Sequence, residues 1–126
     1  MRTLGIDFGL KKVGLAFAES GLAEPLLVMD YSDRLVNKID LLVKEYSVEK
    51  IVLGLPEGKL VSRVKNFAQE LASMTSLPVV FQDETLTSQD AIAKMIEAGK
   101  RKKFRREKQD VIAAALILQA YLDSNV

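Results

Sequence analysis

Two runs of strict alternation stand on either side of a four-residue turn at the start of this chain, and they constrain the fold more than any other feature. Leu4, Ile6 and Phe8 alternate with Thr3, Gly5 and Asp7; Val13, Leu15 and Phe17 alternate with Gly14, Ala16 and Ala18. A period of two marks a strand with one face turned to a core. Gly9-Leu10-Lys11-Lys12 between them reads as a turn, so the two strands pair as an antiparallel hairpin.

After the hairpin the pattern changes to helices alternating with short apolar runs. Leu26-Leu27-Val28-Met29 predicts a third strand. Ser32 or Asp33 is placed to cap a helix whose stripe is Leu35, Val36, Ile39, Leu42, Val43 and Tyr46. Ile51-Val52-Leu53 reads as a strand buried on both faces, ended by Gly54-Leu55-Pro56-Glu57-Gly58. Val64, Phe67, Ala68 and Leu71 mark a second helix, and Pro78 through Phe81 a fifth strand. Thr87 with Asp90 three residues on resembles a capping box, for a helix ending near Gly99. A last helix, apolar nearly all round and therefore buried, is predicted from about Gln109 to Leu122. The expected fold is α/β: a mixed five-stranded sheet with an N-terminal antiparallel hairpin region and helices on both faces. At 126 residues, one domain spanning 1–126 is expected.

That order of elements gives the acidic residues a meaning. In open α/β sheets, ligands bind beyond the carboxyl ends of the strands. Asp7 ends the first strand, Asp83-Glu84 follows the fifth, and Asp110 opens the last helix. Carboxylates gathered among apolar neighbours repel, and a divalent cation is the natural compensation. Each acid also has an ordinary explanation: Asp7 as a turn opener, the other three as residues favoured near a helix N-terminus. Adjacent residues on an extended segment face opposite ways, so one of Asp83 and Glu84 faces such a cation. Gly9 gives the first turn its tightness; Gly54 and Pro56 read first as a plain strand-to-loop turn, with bracing of the same edge as the functional alternative. Thr87 caps the helix behind it.

Composition closes other routes. There is no cysteine and no histidine. That excludes thiol nucleophiles, disulfides, structural zinc sites and every scheme with a histidine base. Oxygen donors suit hard ions, Mg²⁺ or Mn²⁺. The net charge of +1 hides an asymmetry. Residues 1–93 hold 10 basic and 13 acidic side chains; residues 94–126 hold 8 basic and 4 acidic. Most of the excess lies in Lys100, Arg101, Lys102, Lys103, Arg105, Arg106 and Lys108. Such a block is often a solvated loop, but directly before Asp110 it suits a phosphate backbone. Met1-Arg2-Thr3 lacks the apolar core of a signal peptide, and no apolar run approaches the ~20 residues of a membrane span. A cytoplasmic protein without a membrane partner is expected.

Together these residues resemble the YqgF/RuvX family of pre-16S rRNA nucleases and Holliday-junction-resolvase-like proteins. The resemblance runs through Gly5-Ile6-Asp7-Phe8-Gly9, Val13-Gly14-Leu15-Ala16, Ala23-Glu24-Pro25-Leu26, Val52-Leu53-Gly54-Leu55-Pro56, Asp83-Glu84-Thr85-Leu86-Thr87-Ser88 and Asp110 through Leu122. It implies an RNase H-like fold, a cytoplasmic location and divalent-metal cleavage of phosphodiesters. It maps the acidic site onto Asp7, Glu84 and Asp110, and so favours Glu84 over Asp83. Where the family usually has arginine after the acidic pair, this chain has Thr85. The segment after Gly54-Leu55-Pro56 is also shorter than the family's usual glycine-rich loop. The implied role is processing of the 16S rRNA precursor, with ribosomal precursor particles as partners and RNA as substrate. Branched DNA is the rival substrate. A non-catalytic nucleic-acid or ribosome-binding module is the rival of another class. A monomer or a homodimer is compatible with these readings; symmetric cutting of a junction needs two sites, hence a dimer.

Overall fold

The computed structural model describes residues 1–83 and 102–124, of which 102–110 are described as backbone alone. Strands β1 (Thr3–Asp7), β2 (Lys12–Ala18) and β3 (Ala23–Asp30) come first. Helix α1 (Leu35–Glu45), β4 (Lys50–Leu55), a 3₁₀ turn (Gly58–Leu60), α2 (Val61–Thr75), β5 (Val79–Asp83) and α3 (Lys102–Ser124) follow. The strand order is β3-β2-β1-β4-β5. The meander β1-β2-β3 is antiparallel, whereas β4 and β5 run parallel to β1. The mixed sheet and its hairpin are those expected, with β1 at the centre.

Alternation along each strand sorts the core into two layers. On one face, Leu4, Ile6, Phe8, Leu15, Ile51 and Leu53 form one buried cluster with Leu35, Ile39 and Val43 of α1 and Val64, Phe67 and Leu71 of α2. On the other, Ala16, Ala18 and Val52 pack with Ala114, Ala115, Ile117 and Leu118 of α3. The stripes read for α1 and α2 are the buried stripes observed. Helix α2 stops at Ser76, which adopts the left-handed conformation (φ 61°) and donates its N–H to the Ala72 carbonyl, with Pro78 just beyond.

Four boundaries differ from the reading. β3 begins at Ala23 and passes through Pro25, with a register irregularity at Leu15/Ala16 of its partner. A proline is tolerated there because β3 is an edge strand and its missing N–H breaks no ladder. Helix α1 is capped by Arg34, with no side-chain cap bond; Ser32 instead accepts the Arg34 N–H at 3.3 Å in a turn before it. β5 starts at Val79 and includes Asp83. Helix α3 begins at Lys102 rather than near Gln109, so the basic stretch from Lys102 to Lys108 is helix, not loop. The helix read from Thr87 to Gly99 lies outside the described residues.

Candidate functional site

β1 ends at the carboxyl edge of the sheet, and Asp7 is its last residue. Asp7 shares the parity of Thr3 and Gly5, opposite the fully buried Leu4 and Ile6, so it belongs to the α3 face and is half-buried. Gly9 makes the turn behind it possible: a Cβ at that position would stand 2.4 Å from the Lys12 carbonyl oxygen, a backbone atom that cannot swing aside. The Asp-x-Gly sequence is therefore a strand end followed by a turn with no room for a side chain.

The seating of α3 decides what Asp7 meets. At the helix C-terminal end, Lys50 donates from Nζ to the Tyr121 hydroxyl at 3.0 Å, and Lys50 pairs with Thr3. The Gln119 side chain accepts the Ala23 N–H at 2.9 Å and donates to the Gly21 carbonyl at 3.1 Å. Ala23 pairs with Ala18, and Ala18 with Thr3. The C-terminal half of α3 thus lies at the start of β1, and the helix runs antiparallel to the strand. Midway, a Cβ on Gly5 would lie 2.7 Å from the Leu118 Cβ and 3.1 Å from the Ala114 carbonyl oxygen, so the missing side chain lets helix and strand touch. Two residues along a strand advance about 7 Å; four residues along a helix advance about 6 Å. α3 therefore runs back from Leu118 and Ala114 toward the Asp7 end of β1, and Asp110 is the next residue of the same helix row.

The other acids divide. Val80 packs in the α3-side cluster while Val79 packs in the opposite one. Asp83 therefore takes the parity of Val79 and lies away from Asp7's face; it is exposed, and pairs in register with Leu55. Glu84, Thr87, Lys100 and Arg101 lie outside the described residues, as do the side chains of Lys102 through Asp110. Gly54 is buried in β4 beside Gln82, and Pro56 is half-buried just after the strand. Among the described residues no three metal-ligating side chains converge. No described helix is long and apolar enough to cross a membrane.

A concavity opens at the same edge, on the opposite face. It encloses about 190 Å³ and is lined by Phe8, Tyr31, Arg63, Asn66, Phe67 and Glu70. The sequence reading singled out none of its polar residues. The one available signal was their spacing, which puts Arg63, Asn66 and Glu70 on one side of α2 around the core residue Phe67.

The family model described as "RuvX: Holliday junction resolvase" matches residues 1–124. A protein of Agathobacter rectalis named "Putative pre-16S rRNA nuclease" is 38% identical over 141 residues, which cover 98% of this chain and 95% of that one. Two solved structures share the fold. Thermus thermophilus RuvC in complex with a Holliday junction substrate superposes with a TM-score of 0.66 at 18% identity, covering 98% of this chain and 96% of that one. Fowlpox virus resolvase with its Holliday junction DNA superposes with a TM-score of 0.68 at 11% identity, covering 100% and 99%.

Proposed function

The chain belongs to the RuvX family, and on that premise we propose that it is a metal-dependent nuclease, a hydrolase of phosphodiester bonds in structured nucleic acid. Its substrate is the 16S rRNA precursor, and its place is the cytoplasm during ribosome assembly. The observation that supports this most directly is the antiparallel seating of α3 on β1. It runs the helix that carries Asp110 back toward the carboxyl edge where β1 ends in the half-buried Asp7.

Asp7, Glu84 and Asp110 would hold the cation. A donor set of carboxylates alone fits a hard ion, Mg²⁺ or Mn²⁺, and fits a soft one poorly. When bound, such an ion supplies Lewis-acid stabilisation of the charge that builds on the phosphoryl oxygens and makes a water more acidic. The chain's own residues do the rest. Asp7 and Asp110 are carried on elements whose separation is fixed by the Gly5 contact, so the distance between them is set by packing rather than by loops. Asp7 is half-buried, and the reduced access of solvent strengthens its hold on a cation. The basic residues from Lys100 to Lys108 lead into Asp110 along the chain and bind the phosphate backbone, which makes binding steeply salt-dependent. In hydrolysis the water oxygen bonds to phosphorus as the P–O bond to the 3′ oxygen breaks; the 3′ oxygen takes up one proton, and the water's oxygen stays on the new 5′-phosphate.

The family model's own description favours a second reading, cleavage of four-way DNA junctions, which needs a dimer with two sites. A cleavage panel separates them: precursor rRNA, junction DNA and single strands, each with Mg²⁺, Mn²⁺ or EDTA. We expect precursor rRNA to be cut with either ion, EDTA to stop it, and Asp7→Asn to abolish cutting while the protein stays folded. Full activity in the Asp7→Asn protein would overturn the assignment.

A further inference from the structure

The pocket at Phe8 has a composition that a hydrophobic core does not need. Its floor is two rings in contact, Phe8 and Phe67, with centroids 4.8 Å apart. Phe8 also holds Tyr31 edge-on at 5.9 Å and 89°. Tyr31 is pinned by its backbone, whose N–H donates to the Lys11 carbonyl at 2.8 Å. The residue nevertheless remains 40% exposed. Three polar residues of α2 complete the lining: Arg63, Asn66 and Glu70. None of the three has a hydrogen bond or ion pair among the described residues, although Arg63 and Glu70 line the same cavity with opposite charge. Phe8 is the residue immediately after Asp7 and faces the other side of the sheet.

We propose that this pocket binds one unpaired nucleotide of the substrate strand, on the far side of the β1 edge from the cleavage site. The inference rests on the nuclease reading for the identity of the strand. The chemistry of recognition comes from the pocket itself. Tyr31, braced against the buried Phe8, supplies the exposed ring on which a base of any kind stacks. A guanidinium holds a phosphate or a base carbonyl. An amide and a carboxylate read the edge of a splayed-out base. The cavity is smaller than the ~300–1,000 Å³ typical of drug-sized sites, so it takes one ring system and no more. Glu70 accepts and does not donate, which selects a base with an exocyclic amino group, such as cytosine, over uracil. Pairing is thereby excluded at this position, since the edge read by Asn66 and Glu70 is the edge a complementary strand would occupy. The site would admit a substrate only where its strand is unpaired beside the cut.

The test is binding without metal. Fluorescent short oligouridylates carrying one cytidine, one uridine or one abasic residue at the central position are titrated with the full chain in EDTA. Cytidine should bind about tenfold more tightly than the abasic strand, the usual worth of one stacked base. Tyr31→Ala should erase that difference, Tyr31→Phe should keep it, and Glu70→Gln should narrow the gap between cytidine and uridine. A 5-iodocytidine at the same position should crosslink to Tyr31. Cytidine monophosphate alone should compete only weakly; equal affinity for it would mean a free-nucleotide site and overturn the substrate-strand proposal. Equal binding of abasic and cytidine strands, or a folded Tyr31→Ala protein indistinguishable from wild type, would also overturn it. Cleavage with Mg²⁺ is scored separately. Loss of all cleavage with base binding intact would sink the nuclease reading and leave the nucleotide pocket standing.

Discussion

The two faces of the sheet are built on different rules. The face under α1 and α2 is filled with large side chains, among them Leu4, Ile6, Leu15, Ile51 and Leu53, all fully or almost fully buried. The face under α3 is made of Gly5, Ala16, Ala18 and Val52 against Ala114, Ala115 and Leu118. Large apolar residues contribute more transfer free energy per position. Small ones contribute less but bring backbone close to backbone, and that closeness sets how far an acid on the helix stands from an acid on the strand. One layer supplies most of the stability and the other supplies a distance. Stability and activity should therefore respond to different mutations.

The largest loss of stability is expected on the bulky face. Leu53 is fully buried, and Leu53→Ala should cost about 2–5 kcal/mol, seen as a lower denaturant midpoint. Cleavage of precursor rRNA, measured where the variant is still folded, should be unchanged. A proportional fall in cleavage would break the division of labour. Gly5→Ala should show the reverse pattern. Its new Cβ meets the Leu118 Cβ and the Ala114 carbonyl at distances that force α3 outward. Overpacking of this kind costs about 1–3 kcal/mol. A displacement of around 1 Å between reacting groups costs about a hundredfold in rate. We expect cleavage to fall by that order while most of the stability remains. A folded Gly5→Ala protein with full activity would show that the helix-to-strand distance does not govern the site.

Much of this division was legible in the sequence, and the illegible parts have physical reasons. The alternation of Leu4-Gly5-Ile6-Asp7 named both faces of β1, and the stripe from Leu35 to Tyr46 named the buried face of α1. Chain order also put Asp7 at a carboxyl edge. The start of α3 was hidden because Lys102 to Lys108 has no apolar period. Lysine, arginine and glutamate propagate a helix well, but only an apolar stripe announces one. Asp83 read as a loop residue because β5 ends without a glycine or proline to mark its boundary. The Phe8 pocket was out of reach altogether. Tyr31 and Arg63 are thirty-two residues apart in the sequence, and only the fold of α1 and β4 between them sets both beside the ring that follows Asp7.

A smaller effect sharpens the contrast within the α3 face itself. Thr3 is buried on the parity of Gly5 and Asp7, and its hydroxyl has no hydrogen-bond partner among the described residues. Burying an unpaired hydroxyl costs about 1–3 kcal/mol. Thr3→Val keeps the shape and removes that cost, so the protein should gain about 1 kcal/mol by thermal melting. Cleavage should not change, because Thr3 stands at the opposite end of β1 from Asp7. A loss of stability would show that the hydroxyl is satisfied.

The smallest effect belongs to neither face and serves as the control for both. At the sheet edge Lys12 of β2 donates from Nζ to the Asp30 carboxylate of β3 at 2.8 Å, across a directly paired position. That hydrogen bond first, and the lysine charge second, hold Asp30 below the ordinary aspartate range. A carboxyl whose value is lowered by folding adds stability at pH above its unfolded value. That contribution fades as pH falls through the ordinary range toward the lowered one. Both partners are exposed, so the contribution is slight and screened by salt. Asp30→Asn should therefore lower the melting temperature slightly at neutral pH and not at all in strong acid, with the difference closing as pH drops. Cleavage should follow the wild type throughout. A change in cleavage at constant fold would mean that the β2–β3 edge takes part in holding Asp7, and the helix-to-strand contact would then be only half of what positions the site.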